Sequence, residues 1–183
     1  LIEEARRRTK WPGRKQLLVY PKFDPNNNTR PDITAGNLHV ILDAAHNEDG
    51  MHQLFSELDN VPDMILFGCT EKHNISGIID RLLDFIADRM EFDSPVPFLV
   101  ITKPIGGRLA PVIPEKIVEK IAVQASLYPG LEVREKLSRL EYIKQLPDYR
   151  EAYEFARETS YQISRHNPTI LCLGSVYLVG NIL

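Results

Sequence analysis

Short apolar runs alternate with helical patterns along nearly the whole chain, and this alternation limits the folds that the chain can adopt. Short apolar runs bounded by Gly, Pro or Asn are typical of buried strands, whereas apolar residues three and four apart are typical of amphipathic helices. Strand–helix–strand units at this spacing predict a mostly parallel sheet with right-handed crossovers. We therefore expect a three-layer, Rossmann-like α/β domain with about six strands and helices on both faces of the sheet.

The predicted elements follow one another in a regular order. Strands are expected at 15–20, 38–43, 63–68, 97–102, 131–133 and 168–173. Helices are expected at 49–58, at 75–90, from Pro114 to Pro129-Gly130, at 149–166 and directly after Ser175. The stretch 21–36 is rich in Asn and Pro and contains few apolar residues, so it is predicted to be a solvated loop.

Composition excludes several classes of partner. With 183 residues, 43% of them hydrophobic, the chain can form one domain with an apolar core. A net charge of −3 does not indicate a nucleic-acid partner, which usually requires a dense basic face. No stretch approaches the ~20 apolar residues of a membrane span, so no membrane partner is expected. Cys69 and Cys172 each end an apolar run and are expected to be buried, reduced thiols rather than a disulfide.

The stretch from Asp43 to Asn47 is the strongest candidate for a functional site. It follows the predicted strand 38–43 and precedes a helix, and strand carboxyl ends face the ligand crevice in open α/β sheets. Asp43 could be a helix cap or could accept hydrogen bonds from ribose hydroxyls. His46 could be structural or catalytic, and Asn47 alone is most simply the N-cap of the next helix. Because the three lie in one turn, we favour the functional interpretation.

Other polar residues stand at predicted strand ends or turns. Arg14 could be solvated surface or could bind a phosphate through its guanidinium group. Ser175 could be an N-cap, or its hydroxyl could hold a carboxylate at a helix N-terminus. Lys72 and His73 follow a strand and either face the same crevice or are solvated loop residues. No residues have metal-ligand spacing, and no glycine-rich phosphate loop is present: Gly106-Gly107-Arg108 lacks the required spacing.

Three motifs in this order resemble those of the C-terminal domain of the folylpolyglutamate synthase family, within the Mur ligase superfamily. The family's Trp-Pro-Gly-Arg element corresponds to residues 11–14, its Leu-Asp-Gly-Ala-His-Asn element to 42–47, and its Gly-Ser-Leu-Tyr-Leu-Val-Gly element to 174–180. Ala44 departs from the family's glycine, and Glu71-Lys72-His73 departs from its Asp-Lys-Asp. The loop at 21–36 is also longer than the family pattern predicts.

The resemblance implies a domain organisation and an activity. Residues 1–14 would end an interdomain linker and carry the Trp-Pro-Gly-Arg element, and residues 15–183 would form the C-terminal domain. The parent protein, of which this chain beginning at Leu1 is interpreted as a piece, would carry an N-terminal P-loop ATPase domain that holds ATP and Mg²⁺, with the magnesium ligands in that domain. The implied reaction joins L-glutamate to the γ-carboxylate of a folate through an acyl phosphate. The chain alone is expected to fold but neither to hydrolyse ATP nor to add glutamate. The parent protein is expected in the cytoplasm or in an organelle.

The resemblance also implies roles for individual residues. Arg14, Asp43 and Asn47 would bind the nucleotide, whereas His46 and Ser175 would act near the reacting groups. We expect Arg14→Ala and Asp43→Ala to weaken ATP use in the full-length protein without altering the fold. Two alternatives are a dihydrofolate synthase, which shares this domain but uses dihydropteroate, and a non-catalytic nucleotide-binding or regulatory module. An oxidoreductase is disfavoured because the glycine-rich dinucleotide fingerprint is missing.

Overall fold

The computed structural model describes residues 12–21, 36–71, 74–90, 96–128, 135, 142–163 and 167–183. These residues contain six strands and five helices. The strands are β1 Gln16–Pro21, β2 Asn37–Leu42, β3 Met64–Phe67, β4 Phe98–Ile101, β5 Ile143–Gln145 and β6 Thr169–Leu173. The helices are α1 Glu48–Ser56, α2 Ile75–Met90, α3 Pro114–Ala125, α4 Tyr149–Ile163 and α5 Val176–Ile182.

The strands form one sheet in the order β1-β2-β6-β3-β4-β5. All neighbouring pairs are parallel except β1 and β2, which are antiparallel. The central strands are short and almost entirely buried, as expected for strands that are covered on both faces. The predicted α/β class, the mostly parallel sheet and the strand number are confirmed.

Two apolar cores lie on opposite faces of this sheet, so the domain has three layers. On one face, helices α1, α2 and α3 pack against a core that includes Phe67, Ile101 and Leu173. On the other face, α4 and α5 pack against a core that includes Leu42, Leu66 and Cys172. Alternate residues of a strand point to opposite faces, so neighbours such as Leu66 and Phe67 contribute to different cores. No helix among the described residues is both long enough and apolar enough to cross a bilayer.

Periodicity predicted the long elements well and missed one strand. The helix at 75–90 has the predicted bounds, and Pro114 occupies the first turn of α3 as predicted. Strand β5 was not predicted, because only one of its three residues, Ile143, is apolar, and Lys144 and Gln145 are exposed at the sheet edge. The strand predicted at 131–133, the tail of the helix predicted to residue 166 and most of the loop at 21–36 lie outside the described residues.

Both cysteines are buried, and neither forms a disulfide, as the sequence predicted. Burial also raises the pKa of the Cys172 thiol, which further reduces its reactivity. We expect a water-soluble aromatic disulfide reagent to label both cysteines at least about a thousandfold more slowly in the folded chain than in urea, because labelling requires opening of the core. Rapid labelling of either thiol without unfolding would contradict this burial.

Candidate functional site

The carboxyl ends of β2, β6, β3 and β4 lie along one edge of the sheet. Strand β1 runs the opposite way and pairs Gln16 with Leu42, so its amino end reaches the same edge. The turn that precedes β1, residues 12–15, therefore lies beside the residues that follow β2. Lys15 and Asp43 are 28 positions apart in the chain, yet they are in contact. The reason is that β1 is antiparallel to β2, which also brings Arg14 close to Asp43.

Hydrogen bonds hold the turn at 12–15, called the entry turn below, against the end of β2. One carboxylate oxygen of Asp43 accepts from the backbone N–H of Lys15 at 2.9 Å, and the other accepts from the N–H of Ala45 at 2.7 Å. The N–H of Ala44 donates to the carbonyl of Gly13 at 2.7 Å. Asp43 is only 8% exposed, so its carboxylate holds the two segments together as well as facing the site. The expectation that Asp43→Ala leaves the fold intact is therefore not supported.

His46 and Asn47 are held by the turn that leads into α1. The Nδ1 atom of His46 lies 2.7 Å from the carbonyl oxygen of Ala44. Because a carbonyl can only accept, Nδ1 carries a proton, and Nε2 is the basic nitrogen of the neutral ring. Asn47 is the N-cap of α1, as the sequence predicted, and its side-chain oxygen accepts from the N–H of Gly50 at 2.8 Å.

Four of the five predicted site residues line one cavity of about 250 Å³, called the smaller cavity below. Arg14 comes from the entry turn, and Asp43, His46 and Asn47 come from the segment after β2. The rest of the wall comes from Lys15, from Ala44 and Ala45, and from Gly50, Gln53, Leu54 and Glu57 of helix α1 and its end. The wall therefore combines basic, acidic and amide groups, which suits a polar, anionic ligand.

A second cavity, of about 730 Å³ and called the larger cavity below, shares His46 and Asn47 with the smaller cavity. Its wall is formed by these two residues with Glu48, Glu71, Asn74, Ile75, Ile78 and Leu109. The last three are apolar, so this cavity offers a hydrophobic wall next to two carboxylates. Because His46 and Asn47 line both cavities, the two spaces adjoin at these residues. Lys72 and His73 lie outside the described residues, between Glu71 and Asn74.

One ion pair, between Lys15 and Glu57, lies in the wall of the smaller cavity. The Lys15 ammonium donates to the carbonyl of Glu57 at 2.8 Å and lies 3.6 Å from a Glu57 carboxylate oxygen. A hydrogen bond from Gln53 lowers the pKa of the Glu57 carboxyl, and the charges of Lys15 and Arg14 act in the same direction against partial desolvation. The Glu57 carboxylate therefore stays ionised at a lower pH than an ordinary glutamate does.

Solved structures with the same fold include folylpolyglutamate synthases, the family whose motifs this sequence resembles. The bifunctional folylpolyglutamate synthase/dihydrofolate synthase of Yersinia pestis superposes with a TM-score of 0.58 at 17% identity, covering 94% of this chain and 30% of its own. E. coli FolC, in complex with DHPP and ADP, gives 0.55 at 18% identity, with 94% and 30% coverage. Mycobacterium tuberculosis folylpolyglutamate synthase, complexed with ADP and AMPPCP, gives 0.55 at 16% identity, with 96% and 32% coverage.

The chain shares its fold with part of these synthases. The chain spans about 30% of the length of the solved structures that it matches. A further solved structure with this fold, of a bifunctional folylpolyglutamate synthase/dihydrofolate synthase, has Mn, AMPPNP and L-glutamate bound. No family model and no curated protein sequence matches the chain.

Ser175, the fifth predicted site residue, occupies a different place in the fold. It is the N-cap of α5, its side chain accepts from the N–H of Tyr177 at 3.1 Å, and it is 2% exposed. It lines neither the smaller nor the larger cavity. The capping interpretation is confirmed, whereas the catalytic interpretation stays a prediction.

Sequence reasoning missed several residues that line the two cavities. Gly50, Gln53 and Glu57 are three and four residues apart, which indicates one face of α1 but not that this face meets the entry turn. Glu71 and Asn74 come from the β3–α2 connection and gave no signal beyond their position after a strand. Lys15 could have been suspected only because it adjoins Arg14.

The described residues also limit what this domain could bind. Within them, no three His, Cys, Asp or Glu side chains lie close enough together to hold a metal ion. The smaller cavity does suit part of a nucleotide: it offers the Arg14 guanidinium and the Asp43 carboxylate. A carboxylate offers about four lone-pair sites, so Asp43 can accept further hydrogen bonds beyond its two backbone donors.

Proposed function

We propose that this chain is the C-terminal domain of an ATP-dependent ligase that adds L-glutamate to the γ-carboxylate of folates. The observation that carries the proposal is the meeting of Arg14, Asp43, His46 and Asn47 around the smaller cavity. This occurs at the sheet edge that binds ligands in open α/β folds, in a fold shared with folylpolyglutamate synthases. Residues 1–14 would complete the linker from an N-terminal P-loop ATPase domain, which is the proposed partner of residues 15–183.

The proposed reaction has two steps. The γ-phosphoryl group of ATP is transferred to the folate γ-carboxylate, which gives an acyl phosphate and ADP. The amine of L-glutamate then attacks the acyl carbon, the carbon–oxygen bond to phosphate breaks, inorganic phosphate leaves and the amine loses a proton. Catalysis of this kind depends on positioning and on stabilisation of charge. Bound Mg²⁺ would neutralise phosphate charge, and the proposal assigns its ligands to the N-terminal domain.

Each of the five predicted site residues has a role in this proposal. Arg14 binds a phosphate oxygen of the nucleotide through its guanidinium group. Asp43 accepts from the ribose hydroxyls while holding the entry turn, and Asn47 fixes the start of α1. His46 stands between the two cavities and offers Nε2 as a base near the attacking amine. Ser175 caps α5, so its proposed role is to fix the start of that helix.

Two other functions make different predictions from the same domain. A dihydrofolate synthase would use dihydropteroate as the acceptor of glutamate, and E. coli FolC, which shares this fold, is solved with DHPP and ADP. A non-catalytic module would bind a nucleotide without turnover. The deciding experiment is glutamate-dependent ADP release by the intact parent protein, measured with tetrahydrofolate and separately with dihydropteroate.

The outcomes of that experiment separate the three functions. Release with tetrahydrofolate supports the proposed ligase, and release with dihydropteroate alone supports the synthase. Absence of release with either acceptor, in a parent that binds ATP, supports the module. The 183-residue chain alone is expected to release no ADP, so robust turnover by it would contradict the proposed division of labour.

Replacing Arg14 tests the nucleotide contact directly. In the parent protein, Arg14→Ala should raise the KM for ATP about ten- to a hundredfold, because a charge-assisted hydrogen bond contributes about 1.5–3 kcal/mol. Arg14 is exposed, so the unfolding transition should not shift. Arg81→Ala is the matched control, since Arg81 is an exposed arginine on α2 that pairs with Asp84. An unchanged KM in the Arg14 variant would refute the contact.

A further inference from the structure

Lys15 connects the two walls of the smaller cavity. Its backbone N–H donates to Asp43 at 2.9 Å, and its ammonium donates to the Glu57 carbonyl at 2.8 Å, at the carboxyl end of α1. A Glu57 carboxylate oxygen lies 3.6 Å from the same ammonium. One residue thereby ties the entry turn to the end of β2 through its backbone and to helix α1 through its side chain.

Hydrogen bonds hold the backbone of both neighbours of Arg14, Gly13 and Lys15. On one side, Gly13 accepts from the N–H of Ala44 at 2.7 Å and donates its own N–H to the Gln16 side chain at 2.8 Å. On the other side, Lys15 adopts a left-handed backbone conformation with φ of 44°. The direction in which Arg14 leaves the turn is therefore set by its two neighbours.

The stability of the domain does not account for this arrangement of Lys15. An exposed ion pair contributes about 0–1 kcal/mol, and the Lys15 and Glu57 side chains are both 45% exposed. A left-handed conformation costs a residue with a β-carbon about 1–2 kcal/mol. The helix carbonyl at the carboxyl end of α1 attracts a cation, which makes that end a natural anchor for an ammonium group.

We propose that Lys15 is a positioning residue that holds the Arg14 guanidinium at the smaller cavity by anchoring the entry turn to the carboxyl end of α1. This inference rests on the proposed function for its effect on nucleotide binding, but the anchoring is independent of it. Lys15 acts through Arg14 and does not itself bind the nucleotide, since its ammonium is engaged with Glu57. The consequence is that Arg14 needs less ordering when an anionic ligand binds.

Steady-state kinetics of the parent protein test the route through Arg14. Lys15→Met, which keeps the side-chain stem and removes the charge, should raise the KM for ATP about three- to tenfold with kcat unchanged. Lys15→Arg should restore most of the affinity. In the Arg14→Ala background, Lys15→Met should have no further effect, because the group that it positions is gone. Lys144→Met is the matched control, because Lys144 is an exposed lysine of β5, the last strand in the sheet order that begins with β1.

Nuclear magnetic resonance of the 183-residue chain tests the anchoring without any nucleotide. The ¹⁵N heteronuclear NOE of the Arg14 backbone amide should fall in Lys15→Met and remain at the wild-type value in Lys15→Arg and Lys144→Met. This readout separates the two hypotheses, because a parent protein without ligase activity would refute the proposed function and leave the anchoring to be judged by the NOE. Additive losses of ATP affinity in the double variant, or an unchanged Arg14 NOE in Lys15→Met, would overturn the proposal.

Discussion

Gly174→Ala should lower the free energy of unfolding by about 3 kcal/mol or more. Gly174 has a φ of 101°, in the region that costs an L-residue about 1–2 kcal/mol. A β-carbon there would also lie 2.6 Å from the Phe67 ring and 2.7 Å from the Gly68 carbonyl oxygen. Phe67 is fully buried and Gly68 presents backbone, so neither can retreat, and such overpacking costs about 1–3 kcal/mol. Urea unfolding followed by circular dichroism measures the loss.

Gly106→Ala is the matched control for this prediction. Gly106 also has a positive φ, 87°, but a β-carbon there would meet nothing within 4 Å. Only the conformational cost of about 1–2 kcal/mol applies to it. Equal losses in the two variants would show that the close contacts at Gly174 do not matter. The effect should also reach the site, because the N–H of Gly174 donates to the carbonyl of Ala45 at 2.9 Å.

Asp43→Ala should lower the free energy of unfolding by about 2–4 kcal/mol. The substitution removes the acceptor of two backbone N–H groups, those of Lys15 and Ala45, and each unsatisfied donor in a buried setting costs about 1–3 kcal/mol. Asp43→Asn should show a smaller loss, because the amide oxygen can still accept from one of the two donors. Chemical unfolding of the 183-residue chain measures both variants.

Asp59→Ala provides the comparison for Asp43, since Asp59 is exposed and its removal should change stability by less than about 0.5 kcal/mol. A stable Asp43→Ala variant would mean that the carboxylate does not hold the entry turn. This result also matters for enzyme assays, because part of any lost ATP use in Asp43→Ala would come from displacement of Arg14. Activities of Asp43 variants should therefore be compared at a temperature at which each variant is fully folded.

The predictable part of the fold is the part recorded in local periodicity. The helix at 75–90 was found because apolar side chains recur at helical spacing, and the buried strands β3, β4 and β6 were found because they are short, continuous apolar runs. Strand β5 escaped because an edge strand of three residues needs no apolar pattern. Asn47 and Ser175 were recognised as helix caps because capping depends on residues close together in the chain.

The sequence by itself determined the α/β class and the polar turn from Asp43 to Asn47, since both depend on residues close together in the chain. Only the tertiary structure decided that Arg14 belongs beside this turn, because an antiparallel β1 returns its amino end to the carboxyl end of β2. The same holds for the contact between Lys15 and Glu57, which depends on where α1 ends relative to the entry turn. Contacts between segments distant in sequence are set by strand order and helix packing, which one-dimensional periodicity does not encode.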